Sequence, residues 1–209
     1  MANNFVINLG RELGSGGREI GERIAKDLHI NFYDKELINI ASKESGLCRD
    51  FFEKADEKAT QSILGGLFTS HLPFITESAF NYNPYLGNDS LFKIQSDVIK
   101  ELAEKHSCLF VGRCADYVLR ERPRCVNVFI SASKEARIAR LAKKYKITEE
   151  EAEDVMEKAD KKRSSYYNYY SYKTWGAAST YDLCIDSSAL GIDETVKFIE
   201  AFIRKKLKL

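Results

Sequence analysis

Residues 5–28 read FVINLGRELGSGGREIGERIAKDL, and this segment is the most informative part of the sequence. A short apolar run enters a loop that holds four glycines, and the loop opens directly into an amphipathic helical pattern. This order of strand, loop and helix lets backbone N–H groups and a helix N-terminus surround a phosphate. The predicted phosphate-binding residues are Gly14, Ser15, Gly16, Gly17, Arg18 and Glu19.

The loop departs from the standard phosphate-binding motif G-x-x-x-x-G-K-[ST]. With Gly16 as the second glycine, Gly17 stands where the lysine belongs, and Arg11 stands where the first glycine belongs. Two other interpretations are weaker. In the first, the glycines mark only a tight turn between strand and helix. In the second, they form the dinucleotide motif G-x-G-x-x-G, but this chain has Glu19 where that motif requires its third glycine.

Continuous apolar runs alternate with helical patterns along most of the chain. The strand-like runs lie at residues 5–9, 30–33, 108–111, 126–130 and 181–185. The helical patterns that follow four of them lie at residues 18–28, 115–121, 134–145 and 192–207. Ser133 is a candidate N-cap for the third of these helices. The alternation predicts an α/β fold with a five-stranded parallel sheet and helices on both faces.

Residues 35–106 form a long excursion between the second and third strands. Helical patterns at 36–43, 51–64 and 91–105 flank a loop at 71–90 that is rich in Asn, Pro and Gly. A parallel crossover needs only about a dozen residues, so this segment is longer than topology requires. It is interpreted either as a helical insertion that holds a small substrate or as a structural cap.

The composition of the chain indicates which kinds of partner and which cellular compartment to expect. The 209 residues include 32 basic and 31 acidic side chains, a net charge of +1 that argues against a nucleic-acid partner. No signal peptide or apolar stretch of membrane-spanning length appears, so we expect no membrane association and a cytoplasmic protein. The five cysteines are odd in number and lack C-x-x-C spacing. Cys108, Cys125 and Cys184 lie in or beside apolar runs and are therefore predicted to be buried free thiols.

A long helical pattern at residues 148–175 ends in YYNYYSYKTW, in which six of ten residues are aromatic. Base stacking is one use of such a cluster. Packing, or contact between two copies in a homodimer, is the favoured alternative because tyrosine buries a large area at low entropic cost.

Polar residues follow the predicted strands at the edge where a parallel sheet binds ligands. Arg113 is the best phosphate partner among them, since a guanidinium binds phosphate through two hydrogen bonds. Asp34 is read either as a ligand to Mg²⁺ or a substrate hydroxyl, or as a helix N-cap. Asp116 follows the third strand, and Asp186 with Ser187 follows the fifth.

Two charged pairs lie on the helices after the fourth strand. Arg137 and Arg140 are three residues apart and share a helix face, and Asp160 and Arg163 repeat that spacing with opposite charges. Surface salt bridges are the default explanation. Several arginines around a phosphate-binding loop also provide what phosphoryl transfer requires, which is cationic groups that neutralise the migrating charge.

Five segments together resemble the cytidylate kinase-like family of P-loop proteins. They are GRELGSGGREIGERIA, FYDKEL, FVGRCADYVL, VFISASKEARIARL and YDLCIDSSALGIDETV, in that order. The resemblance implies a single kinase domain over residues 1–209, with a nucleoside monophosphate-binding insertion at 35–106 and a lid at about 137–175. It also implies ATP and Mg²⁺ as cofactors and nucleotides as substrates.

The resemblance assigns roles to individual positions. Arg113 resembles the arginine that contacts the monophosphate, and Asp160 with Arg163 resembles the D-x-x-R pair that reads a cytosine nucleotide. Arg137, and less closely Arg140, resembles a lid arginine that faces the transferring phosphate. With Asp34, these give the predicted substrate-binding set Asp34, Arg113, Asp160 and Arg163, and the predicted catalytic set Arg18, Arg137 and Arg140.

The phosphate loop is the main departure from the family. True cytidylate kinases keep G-K-G-T where this chain has Gly16-Gly17-Arg18-Glu19, so the lysine and the magnesium-binding hydroxyl are displaced. Arg18 is a candidate replacement for the lysine, and Ser15 is a candidate source of the hydroxyl. The leading hypothesis is an ATP-dependent kinase acting on a nucleoside monophosphate such as CMP or dCMP. The alternative is a nucleotide-binding regulator or sensor without phosphoryl transfer.

Overall fold

The computed structural model describes residues 4–34 and 88–209. Within them, the strands are β1 (Val6–Arg11), β2 (Asn31–Tyr33), β3 (Cys108–Val111), β4 (Cys125–Ser131) and β5 (Leu183–Asp186). The helices are α1 (Gly17–Asp27), α2 (Asn88–Lys105), α3 (Ala115–Val118), α4 (Lys134–Tyr145), α5 (Glu149–Ser171) and α6 (Ser187–Leu207), with a 3₁₀ turn at Ala178–Thr180.

The five strands form one parallel sheet in the order β2-β3-β1-β4-β5. The central strand β1 pairs with β3 and β4, and Val6 lies opposite both Cys108 and Cys125. The predicted α/β fold with a five-stranded parallel sheet is therefore confirmed. Since all five strands run the same way, their carboxyl ends meet at one edge, where β1 enters the glycine-rich loop.

Both faces of the sheet are covered. On one face, alternate side chains of β1 pack against the apolar stripes of α1 and α6, and this core is buried from water. On the other face, the position of Gly10 lies against Phe129, whose ring contacts the rings of Trp175 and Tyr181 at centroid distances of 5.2 and 5.0 Å. The aromatic end of α5 and the segment after it thus lie over the second face of the sheet.

Several helix ends differ from the sequence-based expectation for local reasons. Helix α4 has the predicted bounds, and Ser133 caps it by accepting a hydrogen bond from the Ala136 N–H at 3.2 Å. Helix α5 ends at Ser171 rather than near 175 because Tyr172 adopts a left-handed conformation with φ 55°. Helix α6 begins at Ser187 rather than 192, and a kink at Gly191, with φ 74°, separates its first four residues from the helical part at 192–207 that the pattern predicted.

The cysteines follow the prediction only in part. Cys108, Cys114, Cys125 and Cys184 are all free thiols, but Cys184 is exposed and Cys125 is partly exposed. Cys184 lies on β5, an edge strand of the sheet, so the prediction that it is buried was wrong. Burial raises the pKa of Cys108 and of Cys114 to about 12, which keeps both thiols protonated at neutral pH. Cys48 lies outside the described residues.

The chain divides into two units, one of Met1–Lys35 with Lys100–Leu209 and one of Glu36–Ile99. In the second unit the structure describes residues 88–99, which belong to α2. The helices predicted at 36–43 and 51–64 lie outside the described residues. Most of the loop predicted at 71–90 does too, and its last three residues belong to α2, which begins at Asn88. The insertion at 35–106 and the lid at about 137–175 stay predictions. Among the described residues, no helix has the length and apolarity needed to cross a membrane.

Candidate active site

The loop between β1 and α1 turns tightly through its glycines. Gly14 and Gly16 have φ values of 82° and 78°, in the left-handed region that favours glycine. A Cβ on Gly14 would lie 2.9 Å from the Arg137 carbonyl oxygen, so no other residue fits this close approach. Helix α1 starts directly at Gly17, and its N-cap residue is Gly16, which has no side chain to accept a hydrogen bond from the first amides. The sequence therefore places a helix N-terminus and a tight glycine loop at the same point.

Ser15 shapes this loop from the inside. Its side chain is completely buried, and its hydroxyl donates a hydrogen bond to the Glu12 carbonyl oxygen at 2.9 Å. The same hydroxyl oxygen accepts a hydrogen bond from the Gly17 N–H at 3.3 Å. The hydroxyl that was a candidate magnesium ligand is thus engaged with the loop's own backbone in this arrangement.

Leu13 connects the loop to the helices after β4. Its N–H donates to Asp160 Oδ1 at 2.9 Å, and its carbonyl oxygen accepts from Arg137 Nε at 2.7 Å. Arg137 also forms an ion pair with Asp160, and its Nη1 lies 3.3 Å from Glu12 Oε2. The Arg137 side chain is only 9% exposed. Two predicted site residues, Arg137 and Asp160, are therefore brought together, and both hold the loop.

Glu12 belongs to the same network. Its carboxylate accepts a hydrogen bond from the Ala132 N–H at 3.1 Å. Burial raises its pKa above the ordinary range, while that hydrogen bond and the charge of Arg137 oppose the rise. Sequence reasoning missed Glu12 and Leu13 because neither residue belongs to the glycine motif.

Arg140 places a second cation on the loop. It donates a hydrogen bond to the Gly14 carbonyl oxygen. Its Nη1 lies 3.5 Å from the point where a Cβ on Gly16 would stand. Arg163 lies farther along, with Nη1 3.4 Å from Asp160 Oδ1. The arginines predicted on α4 and α5 therefore do converge on the loop, Arg140 directly and Arg163 through Asp160.

Arg18 turns toward the end of β2. Its Nε donates to Asp34 Oδ2 at 2.9 Å, and its Nη1 lies 2.8 Å from Glu22 Oε1. The Asp34 side chain is only 6% exposed, whereas that of Arg18 is 56% exposed. Glu19, the last predicted loop residue, is exposed and lies 3.9 Å from Arg23. Arg18 and Asp34, predicted for the cofactor and the substrate, thus form one ion pair.

The turn after β3 is conformationally unusual. Gly112, Arg113 and Cys114 have φ values of 77°, 55° and 54°, a left-handed run that is unfavourable for the last two residues. The Arg113 guanidinium lies 5.4 Å from the centre of the Tyr166 ring, and burial raises the pKa of Tyr166 to about 12. The Arg11 guanidinium lies against Gly112, where a Cβ would collide with it. In the sequence, Arg11 stands out only because it occupies the position of the first glycine of the phosphate-binding motif. Nothing else in the sequence indicates its contact with Gly112.

Asp116 lies buried behind this turn. Its Oδ2 accepts a hydrogen bond from the Tyr167 hydroxyl at 2.6 Å. Burial raises the pKa of Asp116, and the hydrogen bond from Tyr167 partly opposes the rise. Within the aromatic cluster, Tyr167 and Tyr170 are buried, while Tyr169 and Tyr172 are exposed. The buried members therefore contribute to packing, and a contact between two copies through the exposed members stays a prediction.

The model of one protein family, described as cytidylate kinase-like, matches residues 6–189. The chain belongs to the cytidylate kinase-like family. Among solved structures, it is similar to an uncharacterized protein from Eubacterium ventriosum ATCC 27560, with 26% identity and a TM-score of 0.71 over 96% of this chain and 98% of that one. No curated protein matches the chain.

Two named kinases share the fold of this cytidylate kinase-like chain. A shikimate kinase from Bacteroides thetaiotaomicron is 15% identical, with a TM-score of 0.53 over 98% of this chain and 99% of that one. A gluconokinase from Sinorhizobium meliloti 1021 is 13% identical, with a TM-score of 0.54 over 100% of this chain and 96% of that one. At these identities the likeness shows the fold alone.

The described residues fit the two cofactors of this kinase family unequally. The loop of Gly14 and Gly16 and the start of α1 suit the phosphates of ATP. For Mg²⁺, the part of the chain that the structure describes holds no cluster of three His, Cys, Asp or Glu side chains. Ser15 and Asp34 are engaged with the protein. Mg²⁺ is commonly bound through one or two carboxylates together with the phosphates of the substrate, so the nucleotide would supply part of its coordination.

Proposed function

We propose that this protein is an ATP-dependent kinase that transfers a phosphoryl group to a small molecule, with a nucleoside monophosphate such as CMP or dCMP as the acceptor. The observation that carries the proposal is the glycine loop at the carboxyl end of β1. It combines two left-handed glycines, the N-terminus of α1 and the adjacent guanidinium of Arg140. Membership in the cytidylate kinase-like family supports the same reaction class.

The proposed mechanism is positioning and charge stabilisation. Loop amides and the N-terminus of α1 hold the phosphates of ATP, and Arg140 offsets negative charge beside them. Arg113, on the strained turn after β3, holds the acceptor's phosphate. An oxygen of that phosphate then attacks the γ-phosphorus while the bond to the β-phosphate oxygen breaks and ADP leaves. No covalent intermediate with the protein is required.

A second function is favoured by the contacts of the predicted catalytic residues. The loop lacks its lysine, Arg18 contacts Asp34, and Arg137 contacts Leu13, Glu12 and Asp160. A protein that binds nucleotides without turnover, as a regulator or sensor, needs only the cradle. Both arginines already contact protein groups, which is the physical basis of this alternative.

Thermal unfolding followed by a coupled ADP-release assay separates the two functions. Stabilisation by ATP and by CMP is expected in both cases, because a ligand that binds only the folded state raises its stability. ADP release that depends on CMP or dCMP supports the kinase, and stabilisation without turnover supports the sensor. UMP, shikimate and gluconate belong in the acceptor panel. If neither CMP nor dCMP binds at millimolar concentration, the cytidylate acceptor is excluded.

A further inference from the structure

Leu13 contacts the helical hairpin α4–α5 through its side chain, its N–H and its carbonyl oxygen. Its side chain packs beside an apolar cluster formed by Leu141 of α4 with Ala152 and Met156 of α5. Its N–H is bonded to Asp160 of α5, and its carbonyl oxygen to Arg137 of α4. One residue of the phosphate loop therefore contributes its side chain, donor and acceptor to the same pair of helices.

The hairpin is itself tied together. Lys134 of α4 forms an ion pair with Glu153 of α5 and lies 3.5 Å from Glu157. Thr148 and Glu151 form a reciprocal capping box at the start of α5. The ion pair of Arg137 with Asp160 adds a connection that is largely removed from water. The two helices are thus joined by an exposed and a largely buried ion pair.

The loop needs such a support for a physical reason. Two glycines in a short segment allow many backbone conformations, and only a few of them point the amides at one phosphate. Asp160 fixes the N–H of Leu13, and Arg137 fixes its carbonyl, so the two peptide planes that flank Leu13 are both oriented. Gly14, the next residue, is oriented in turn by Arg140.

We propose that the α4–α5 hairpin braces the phosphate loop through Leu13, and that Asp160 is the positioning residue that sets the loop for the phosphates of the nucleotide donor. The proposal rests on the proposed kinase function for the identity of the ligand, but the brace itself does not require turnover. In this role Asp160 acts on the donor through Leu13 and touches no substrate.

The competing role for Asp160 is recognition of the acceptor's base. A carboxylate has about four acceptor positions. Leu13 and Arg163 take two on Oδ1, and Arg137 takes one on Oδ2. The side chain is 16% exposed. A base reader would use the remaining position and would leave the loop unchanged, so the two roles predict opposite mutant behaviour.

Asp160→Ala and Asp160→Asn test the brace, with Asp154→Ala as the matched control. Asp154 lies on the same helix, is exposed and pairs only locally in the described structure, with Lys158 at 3.0 Å. Hydrogen exchange of loop residues 12–17 is measured without nucleotide, and KM is measured separately for ATP and for CMP. Asp160→Ala is expected to speed loop exchange and to raise KM for ATP by about tenfold to a hundredfold. KM for CMP and the ratio of CMP to UMP turnover stay at parental values.

Asp160→Asn retains an acceptor for Leu13 but lacks the charge, so we expect an intermediate effect, and Asp154→Ala should match the parent. Unchanged loop exchange with a changed CMP-to-UMP ratio in Asp160→Ala overturns the brace and assigns Asp160 to the base. If Asp160→Ala does not fold, Asp160→Asn and Arg137→Lys decide by the same measurements. If the parent binds no ATP, the kinase proposal fails, while loop exchange still decides whether the brace exists.

Discussion

Ser187, the first residue of α6, donates its hydroxyl to the Ser15 carbonyl oxygen at 2.6 Å, although the two residues are 172 positions apart. Both side chains are completely buried. The contact joins the segment after β5 to the phosphate loop after β1. It follows from the parallel sheet, because the carboxyl ends of all strands meet at one edge.

Ser187→Ala should weaken the phosphate loop without removing any predicted ligand contact. The Ser15 carbonyl loses a buried donor, which costs about 1–3 kcal/mol of unfolding free energy. Urea unfolding and ATP affinity measure the effect on stability and on the loop. Ser164→Ala is the control, since among the described residues its hydroxyl bonds only to the Lys161 carbonyl of the same helix. Parental stability and affinity in Ser187→Ala would show that this hydrogen bond does not support the loop.

Gly16→Ala should abolish or strongly reduce nucleotide binding. With φ 78°, an alanine here is strained by about 1–2 kcal/mol, and its Cβ would collide with the end of the Ile192 side chain. Gly16→Val enlarges both effects. Equilibrium binding of ATP is the measurement.

Gly191→Ala provides the control for strain alone. Gly191 also has a positive φ, 74°, but a Cβ there would meet no heavy atom within 4 Å. We expect Gly191→Ala to lose stability and to keep its affinity for ATP. Parental affinity in Gly16→Ala would contradict the phosphate-loop interpretation.

The sequence was sufficient for the elements whose cause is local. The strands are continuous apolar runs because a parallel sheet is covered on both faces, and such runs can be recognised in the sequence itself. The start of α4 was predicted correctly because Ser133 is a strong N-cap. The exposure of Cys184 was not predictable, since an apolar run does not show whether its strand is central or at an edge.

The candidate site was only partly predictable because its contacts are long-range. The glycine loop is a local pattern, and it predicted the tight turn between β1 and α1, while phosphate binding there stays a prediction. Leu13 and Ser187 carry no motif, and their partners lie more than a hundred positions away. The spacing of Asp160 and Arg163 was visible, but nothing in the sequence showed that Asp160 contacts a backbone N–H of the loop.

Arg18→Ala distinguishes a structural role from replacement of the missing lysine. Because Asp34 is nearly buried and would lose an ionic partner, we expect a loss of about 1–3 kcal/mol in stability. ATP and CMP affinities should change by similar factors. Arg23→Ala is the control from the same helix, since its partner Asp193 is largely exposed. A loss of ATP affinity about tenfold greater than that of CMP would instead support Arg18 as the lysine's replacement.

Tyr167→Phe should destabilise the protein more at neutral pH than in acid. Burial raises the pKa of Asp116 in the folded state, so stability from this group is full below about pH 4 and is lost as the pH rises through the raised value. The Tyr167 hydroxyl limits that loss by bonding the ionised carboxylate, and its removal raises the pKa of Asp116 further. We expect about 1.5–3 kcal/mol of destabilisation at neutral pH and less in acid.

Urea unfolding at neutral pH and in acid measures the difference in destabilisation, and NMR titration of the Asp116 carboxyl carbon measures the change in its pKa. Tyr172→Phe is the control, since Tyr172 is 89% exposed. A destabilisation that is equal at both pH values would show that Tyr167 acts through packing alone.

Arg113→Ala should weaken the binding of all nucleoside monophosphates by the same factor. A guanidinium recognises phosphate, which carries no information about the base, so CMP, dCMP and UMP are affected alike. Loss of a hydrogen bond to a charged group corresponds to about tenfold to a hundredfold in affinity. ATP binding should stay near the parental value because the glycine loop is unchanged. Arg120→Ala is the control, since Arg120 is exposed and contacts the Tyr117 ring and carbonyl within its own turn. If Arg113→Ala weakened ATP while leaving the monophosphates unchanged, the acceptor's phosphate would have to lie elsewhere, and the strained turn after β3 would belong to the donor site.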